Sequence, residues 1–170
     1  MNLEQLSLYK AIDNRVMIVE SVKDWVEAVK LSGSLLAVDG IVEERYINAM
    51  VEVTKELGPY AVIAPGVAIP HARPEDGAKE IGLSILVVKN GVNFGSPNDP
   101  VYVIIGFAAI DKTSHLGILK ELAELLSIPG IVEKIRNSTS PGEIVEVIRI
   151  HSQSKITPLI GGSDSHTSSY

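Results

Sequence analysis

At 170 residues the chain is long enough to bury one real core, and 45% hydrophobic against 21% charged residues is the balance of a soluble globular domain. It contains no cysteine, which excludes disulfides, thiolate nucleophiles, iron–sulfur clusters and cysteine-ligated zinc, and leaves oxygen and imidazole chemistry. A net charge of −6 with no cluster of Lys and Arg argues against nucleic acid as a partner and suits a basic protein surface instead.

The first periodic stretch is "SVKDWVEAVKLSGSLLAVDG". Ser21, three residues before Asp24, is expected to open a helix in which Trp25, Val26, Val29 and Leu36 recur at helical spacing, made irregular by Gly33 and Ser34. A second helix follows in "VEERYINAMVEVTKELG", with Tyr46, Met50, Val53 and Leu57 three or four apart and Gly58 placed to end it in a left-handed conformation. From Tyr60 the pattern changes to short β-branched runs: "YAVIA", "GVAIPH", "IGLSILVVK" and "VYVIIGFAA". The last two are nearly continuous in apolar residues and read as central strands buried on both faces.

After Asp111 the helical period returns in "SHLGILKELAELL", in "GIVEKIR" and in "SPGEIVEVIRIH". The last is expected to carry Ser140 as N-cap, Pro141 at the first helical position and Glu143 closing a capping box. Helices on either side of a strand block imply a sheet covered on both faces, an α/β sandwich in one domain. The tail over 156–170, rich in Gly, Ser and Thr, is expected to be disordered or foreign to the natural chain, which removes His166 from any site. No run of 18 apolar residues occurs, and "MNLEQLSLYK" lacks the basic segment and apolar core of a signal peptide, so the expected location is cytoplasmic, without membrane insertion.

Two histidines stand out. His71 follows a short strand in "GVAIPHARPEDG", braced by Pro70 and Pro74, each of which fixes its own φ, while Pro70 also restricts Ile69. Read alone, it is more readily a roleless turn residue than a functional one. His115 follows a buried strand and a polar turn at the start of a helix, where Thr113 or Ser114 would cap. If the strands before His71 and His115 are neighbours, both imidazoles meet at the open end of the sheet, where ligands bind in α/β folds. Such a pair can bind metal, exchange protons, or act as nucleophile and electrostatic helper. The only nearby third metal ligand is Asp111, and D-x-x-x-H is not a specific metal motif; G-x-S-x-G, the mark of a serine nucleophile, is absent. His151 reads as a complement to its helix dipole, Asn98-Asp99-Pro100 as a turn, and Glu43, Glu44, Arg45, Lys120, Glu121 and Glu124 as solvated helix faces.

Together, "GPYAVIAPGVAIPHARPEDG" and "NDPVYVIIGFAAIDKTSHLGILKELAELL" resemble the enzyme IIA domain of the phosphoenolpyruvate-dependent sugar phosphotransferase system, in its mannitol/fructose superfamily and closest to the ascorbate-type branch. The resemblance covers about residues 20–150 and implies a domain over 1–155 with a mixed sheet of about five strands between helices. It further implies that His71 is phosphorylated by the phosphohistidine of the carrier HPr and passes the group to a cysteine of a IIB component, with the membrane component IIC engaged only indirectly. His115 is implied to lie beside His71 and support the transfer, with no cofactor and no metal. Mannitol-type members carry an arginine three residues after the "AM" matched by Ala49-Met50, whereas this chain has Val53. Arg73 is the residue expected to replace it.

A neutral imidazole, with its ordinary pKa of about 6.5, is a competent nucleophile near pH 7. Phosphoryl transfer needs positioning and donors for the equatorial oxygens; His115, the backbone around Gly66, and the helix start after Ser114 are candidates. Two alternatives are a regulatory phosphohistidine protein of the same family and a metal-dependent hydrolase using His71, His115 and Asp111. A homodimer is compatible with the apolar content but not demanded by it.

Overall fold

The computed structural model describes residues 7–152, so the expectations for the tail and for His166 lie outside the described residues. Five strands form one sheet: β1 (Val16–Val19), β2 (Val62–Ala64), β3 (Val67–Ala68), β4 (Gly82–Val92) and β5 (Val101–Ala108), in the spatial order β1-β4-β5-β3-β2. β4 and β5 are antiparallel, β1 runs parallel to β4, β3 runs parallel to β5, and β2 is antiparallel to β3. The sheet is therefore mixed, as expected.

Alternation along the central strands divides the core into two layers. Leu83, Ile85 and Val87 of β4 and Val103, Ile105 and Phe107 of β5 pack with α1 (Leu8–Ile12), α4 (Leu116–Leu126), α5 (Ile131–Arg136) and a last helix, α6, over 141–152. Leu86, Val88, Ile104 and Ala108 face α2 (Trp25–Val38) and α3 (Glu44–Leu57). Because both faces are covered, β4 and β5 read as continuous apolar runs.

Local chemistry sets the helix ends, with three corrections to the sequence reading. α2 starts at Trp25, not at Ser21: the Asp24 carboxylate accepts from the Glu27 amide at 2.9 Å and takes the capping role. α2 also runs unbroken through Gly33 and Ser34. A Cβ at Gly33 would stand 2.9 Å from Met50 Sδ and 3.2 Å from Ile47 Cγ1, so this glycine lets α2 and α3 approach. Before α6, the Ser140 hydroxyl accepts from the Glu143 amide at 3.3 Å, but the Glu143 carboxylate accepts from the Thr139 amide, one residue before the expected box partner. Gly58 ends α3 with a positive φ of 58°. Two elements went unread in the sequence, α1 and β1, joined by Asp13 and Asn14, both at positive φ.

Candidate functional site

Topology brings the two histidines together. β3 and β5 are parallel neighbours, with Val67 opposite Val103 and Ala68 opposite Ile104, so their carboxyl ends open at the same edge of the sheet. The pairing continues past β3, because the Phe107 amide donates to the Pro70 carbonyl at 3.1 Å. His71 is the next residue after Pro70, and His115 follows β5 after a seven-residue crossing to α4. Phe107 is the shared wall. Its ring centroid lies 6.2 Å from that of His71, edge-on at 70°, and 5.3 Å from that of His115.

His71 has a fixed tautomer. Its Nδ1 lies 3.0 Å from the Ile69 carbonyl oxygen. A carbonyl can only accept, so Nδ1 carries the proton and Nε2 carries the lone pair. Among the described residues Nε2 has no partner, and it is not among the buried unpaired atoms, so it faces outward from the protein. Pro70 holds Ile69 extended, which keeps that carbonyl in reach. The pairing of a strand-end carbonyl with the ring two residues later is invisible to periodicity.

His115 is itself the N-cap of α4, and no side chain caps that helix, which corrects the expectation that Thr113 or Ser114 would do so. Those two residues serve Asp111 instead. Its Oδ1 accepts from the Thr113 amide at 3.0 Å and from the Ser114 amide and hydroxyl, each at 2.7 Å. The Ser114 amide, then its hydroxyl, then the Thr113 amide hold the Asp111 carboxyl below the usual carboxylate range. The uncapped first turn of α4 leaves amides and the positive end of the helix dipole at the site. His115 Nδ1 is buried without a partner, while its ring rests on Phe107.

The other expected donors are placed differently. Gly66 lies at the opposite end of β3 from His71, its amide donating to the Asn98 carbonyl at 3.2 Å and its carbonyl accepting from Tyr102 and Val103, so it belongs to the sheet and not to the site. The Ser114 hydroxyl is spent on Asp111. Arg73 is exposed, two residues after His71, its amide donating to Asp76 Oδ2 at 3.0 Å and its guanidinium unpaired among the described residues. Val53 packs with the α2–α3 core cluster, so no cation stands at that position. Among the described residues no three of His, Asp and Glu converge to hold a metal.

Sequence reasoning missed two neighbours of His71. Phe107 read only as part of a strand. Tyr46, on the apolar stripe of α3, is fully buried, and its hydroxyl lies 2.9 Å from the Phe107 carbonyl, 3.2 Å from the Ala72 carbonyl and 3.0 Å from the Ala72 amide. Burial pushes the phenol up to about 12. The available signal was chemical: a tyrosine on a fully apolar stripe needs a buried partner for its hydroxyl. Glu121, expected on a solvated face, accepts instead from the Leu8 amide and the Ser152 hydroxyl, tying α1 and α6 to α4. His151 sits on α6 with a buried, unpaired Nε2, well separated in sequence from both site loops.

Compared with known proteins, residues 12–150 match the family model for the phosphoenolpyruvate-dependent sugar phosphotransferase system, EIIA 2. The chain belongs to this family. The EIIA domain described here is 37% identical over 136 residues to the mannitol-specific cryptic phosphotransferase enzyme IIA component of Escherichia coli K12, spanning 80% of this chain and 92% of that protein. It is 35% identical over 141 residues to the ascorbate-specific PTS system EIIA component of Salmonella typhimurium LT2, spanning 81% and 91%. The solution structure of the mannitol-specific cryptic enzyme IIA from Escherichia coli superposes with a TM-score of 0.75 at 36% identity, over 83% of this chain and 97% of that one. An Escherichia coli complex of mannitol enzyme IIA with phosphorylated enzyme IIB also matches, at 25% identity and a TM-score of 0.70, over 81% and 95%. This EIIA is thus a phosphotransferase component. No helix among its described residues is long and apolar enough to cross a membrane.

Proposed function

We propose that this EIIA is a phosphocarrier whose His71 Nε2 accepts a phosphoryl group from the phosphohistidine of HPr and donates it to the cysteine of a IIB component. The observation that carries the reading is the bond from His71 Nδ1–H to the Ile69 carbonyl, which leaves Nε2 as an oriented, outward-facing nucleophile at the strand ends. In the first step the Nε2 lone pair forms an N–P bond as the N–P bond of phospho-HPr breaks, and the departing imidazole keeps the electron pair. In the second, a IIB thiolate attacks phosphorus and His71 leaves as the neutral Nδ1–H tautomer it started from.

The protein's contribution is positional and electrostatic. Both imidazoles are fixed against Phe107, and the uncapped start of α4 offers N–H donors for the equatorial oxygens beside the His115 ring. Arg73 supplies a mobile cation at the rim in place of the arginine that Val53 replaces. The relative solved in complex with phosphorylated IIB supports a IIB acceptor. For the sugar, the pattern "GPYAVIAPGVAIPHARPEDG" favours the ascorbate-type branch, although the relatives include mannitol-specific and ascorbate-specific components alike.

The test is incubation with phosphoenolpyruvate, enzyme I and HPr, read by intact mass on the parent, His71→Ala and His115→Ala. One acid-labile phosphoryl group on the parent, none on His71→Ala and a slowed gain on His115→Ala is the expected result; no gain on the parent overturns the reading. Transfer from the phosphorylated protein to purified ascorbate-specific or mannitol-specific IIB then identifies the branch, with the ascorbate-specific partner expected to accept faster.

A further inference from the structure

Three backbone groups meet at one side-chain atom next to the site. The Tyr46 hydroxyl oxygen accepts from the Ala72 amide at 3.0 Å, and its single proton goes to the Phe107 carbonyl at 2.9 Å, with the Ala72 carbonyl farther off at 3.2 Å. Ala72 is the residue after His71, and Phe107 is the residue whose ring touches both imidazoles. One hydroxyl on α3 therefore ties the His71 loop to the end of β5. Nothing else described here bonds the Ala72 amide. Packing alone does not explain the choice of residue, since a phenylalanine would fill the same space and leave these backbone groups unpaired in a buried setting.

We propose that Tyr46 is a positioning residue for phosphoryl transfer: its hydroxyl fixes the backbone on the carboxyl side of His71 against β5, and so sets the direction of His71 Nε2. Pro70 and the Ile69 carbonyl hold His71 from the amino side; Tyr46 holds it from the other. The phenol is suited to this because it stays protonated across the working pH range. The assignment rests on His71 being the phosphoacceptor, but two of its readouts need no phosphoryl donor.

The experiment compares the full chain with Tyr46→Phe and with Thr54→Val. The second variant also removes a buried hydroxyl from α3, one that bonds the Met50 carbonyl at 2.8 Å and touches neither histidine loop. In Tyr46→Phe the saturating rate of phosphorylation by phospho-HPr is expected to fall about 10-fold to 100-fold, the range for a slightly misplaced reacting group, with the half-saturating HPr concentration unchanged. The ¹⁵N ring signals of His71 in the unphosphorylated protein are expected to move from one Nδ1–H tautomer toward a mixture. Thr54→Val is expected to keep both rate and ring signals at a comparable loss of melting temperature. In the parent, the Ala72 amide is expected to exchange with solvent as slowly as core amides, which is read even if Tyr46→Phe fails to fold. A Tyr46→Phe rate and ring spectrum equal to those of Thr54→Val, or an unprotected Ala72 amide in the parent, overturns the proposal. A parent that accepts no phosphoryl group, with Ala72 protected and one His71 tautomer, would instead overturn the phosphocarrier reading.

Discussion

Replacing Gly106 with alanine should destabilise the domain, because at this position in β5 the sheet and α2 are in close contact. A Cβ there would stand 2.5 Å from Ser84 Oγ, 3.1 Å from the Ser32 carbonyl oxygen and 3.2 Å from Ser32 Cβ. Both serines are fully buried, and the Ser84 hydroxyl donates to the Ser32 carbonyl at 2.8 Å, so neither has free space to retreat into. Overpacking of this kind costs about 1–3 kcal/mol. Displacing the Ser84 hydroxyl leaves its buried proton unpaired, while the Ser32 carbonyl keeps its acceptor role inside α2, a further penalty of about 1–3 kcal/mol. Alanine returns only about 0.5–1 kcal/mol, since it is less costly than glycine inside a strand. The net loss is about 1–5 kcal/mol, which for a chain of this size lowers the melting temperature by roughly 2–20 °C. Thermal unfolding followed by circular dichroism measures it. Ser84→Ala removes the nearest atom, so the double variant Gly106→Ala/Ser84→Ala should melt above Gly106→Ala alone, a positive coupling between neighbours. Phosphorylation should also slow in Gly106→Ala, because the next residue is Phe107. A Gly106→Ala protein that melts with the parent, or a double variant no better than the single, would refute the reasoning.

Alkaline stability carries a second prediction. The Tyr46 phenol, raised from 10.0 to about 12 by burial, contributes fully below the unfolded value and loses that contribution as pH rises through the folded one. The two-unit shift corresponds to about 3 kcal/mol, so urea midpoints should fall between pH 10 and pH 12 more steeply for the parent than for Tyr46→Phe; parallel curves would contradict it. Asp111 shifts the opposite way, so its capping of Thr113 and Ser114 should persist above ordinary carboxylate values and fade only as pH falls below them. Asp111→Ala should therefore loosen the loop before His115 and slow phosphorylation several-fold with little change in melting temperature, and an unchanged rate together with unchanged amide signals over 112–115 would show that the cap is irrelevant to transfer. Arg73→Ala should slow acceptance of the phosphoryl group; a normal rate would remove Arg73 from the site.

The parts of the site that sequence made legible are those written in local chemistry. Two prolines around His71 mark a rigid turn after a strand, and a histidine at a helix start after a buried strand marks a second loop at a sheet edge. The long apolar runs of β4 and β5 announced a sheet buried on both faces. The remaining features depend on contacts across the chain. The adjacency of β3 and β5 comes from pairing in the sheet, and β3 itself has only two residues. Tyr46 and Ala72 are 26 residues apart, and Tyr46 and Phe107 are 61 apart, so the hydroxyl bridge has no sequence signature. Gly66 looked like a backbone donor because it stands near His71 in sequence, yet β3 runs between them and carries them to opposite ends. β1 escaped notice because it is four residues long, and α1 because it is five. Ser21 lost to Asp24 because a carboxylate one turn later caps the same helix and matches its observed start at Trp25.

The most direct test of the central claim is the site of the phosphoryl bond. After phosphorylation with phosphoenolpyruvate, enzyme I and HPr, long-range ¹H–¹⁵N correlation with phosphorus coupling places the phosphate on one ring nitrogen. The Ile69 carbonyl reserves Nδ1 of His71, so the structure predicts a phosphate on Nε2 of His71, with Nδ1 still protonated. A phosphate on Nδ1 of His71, or on His115, would contradict the account.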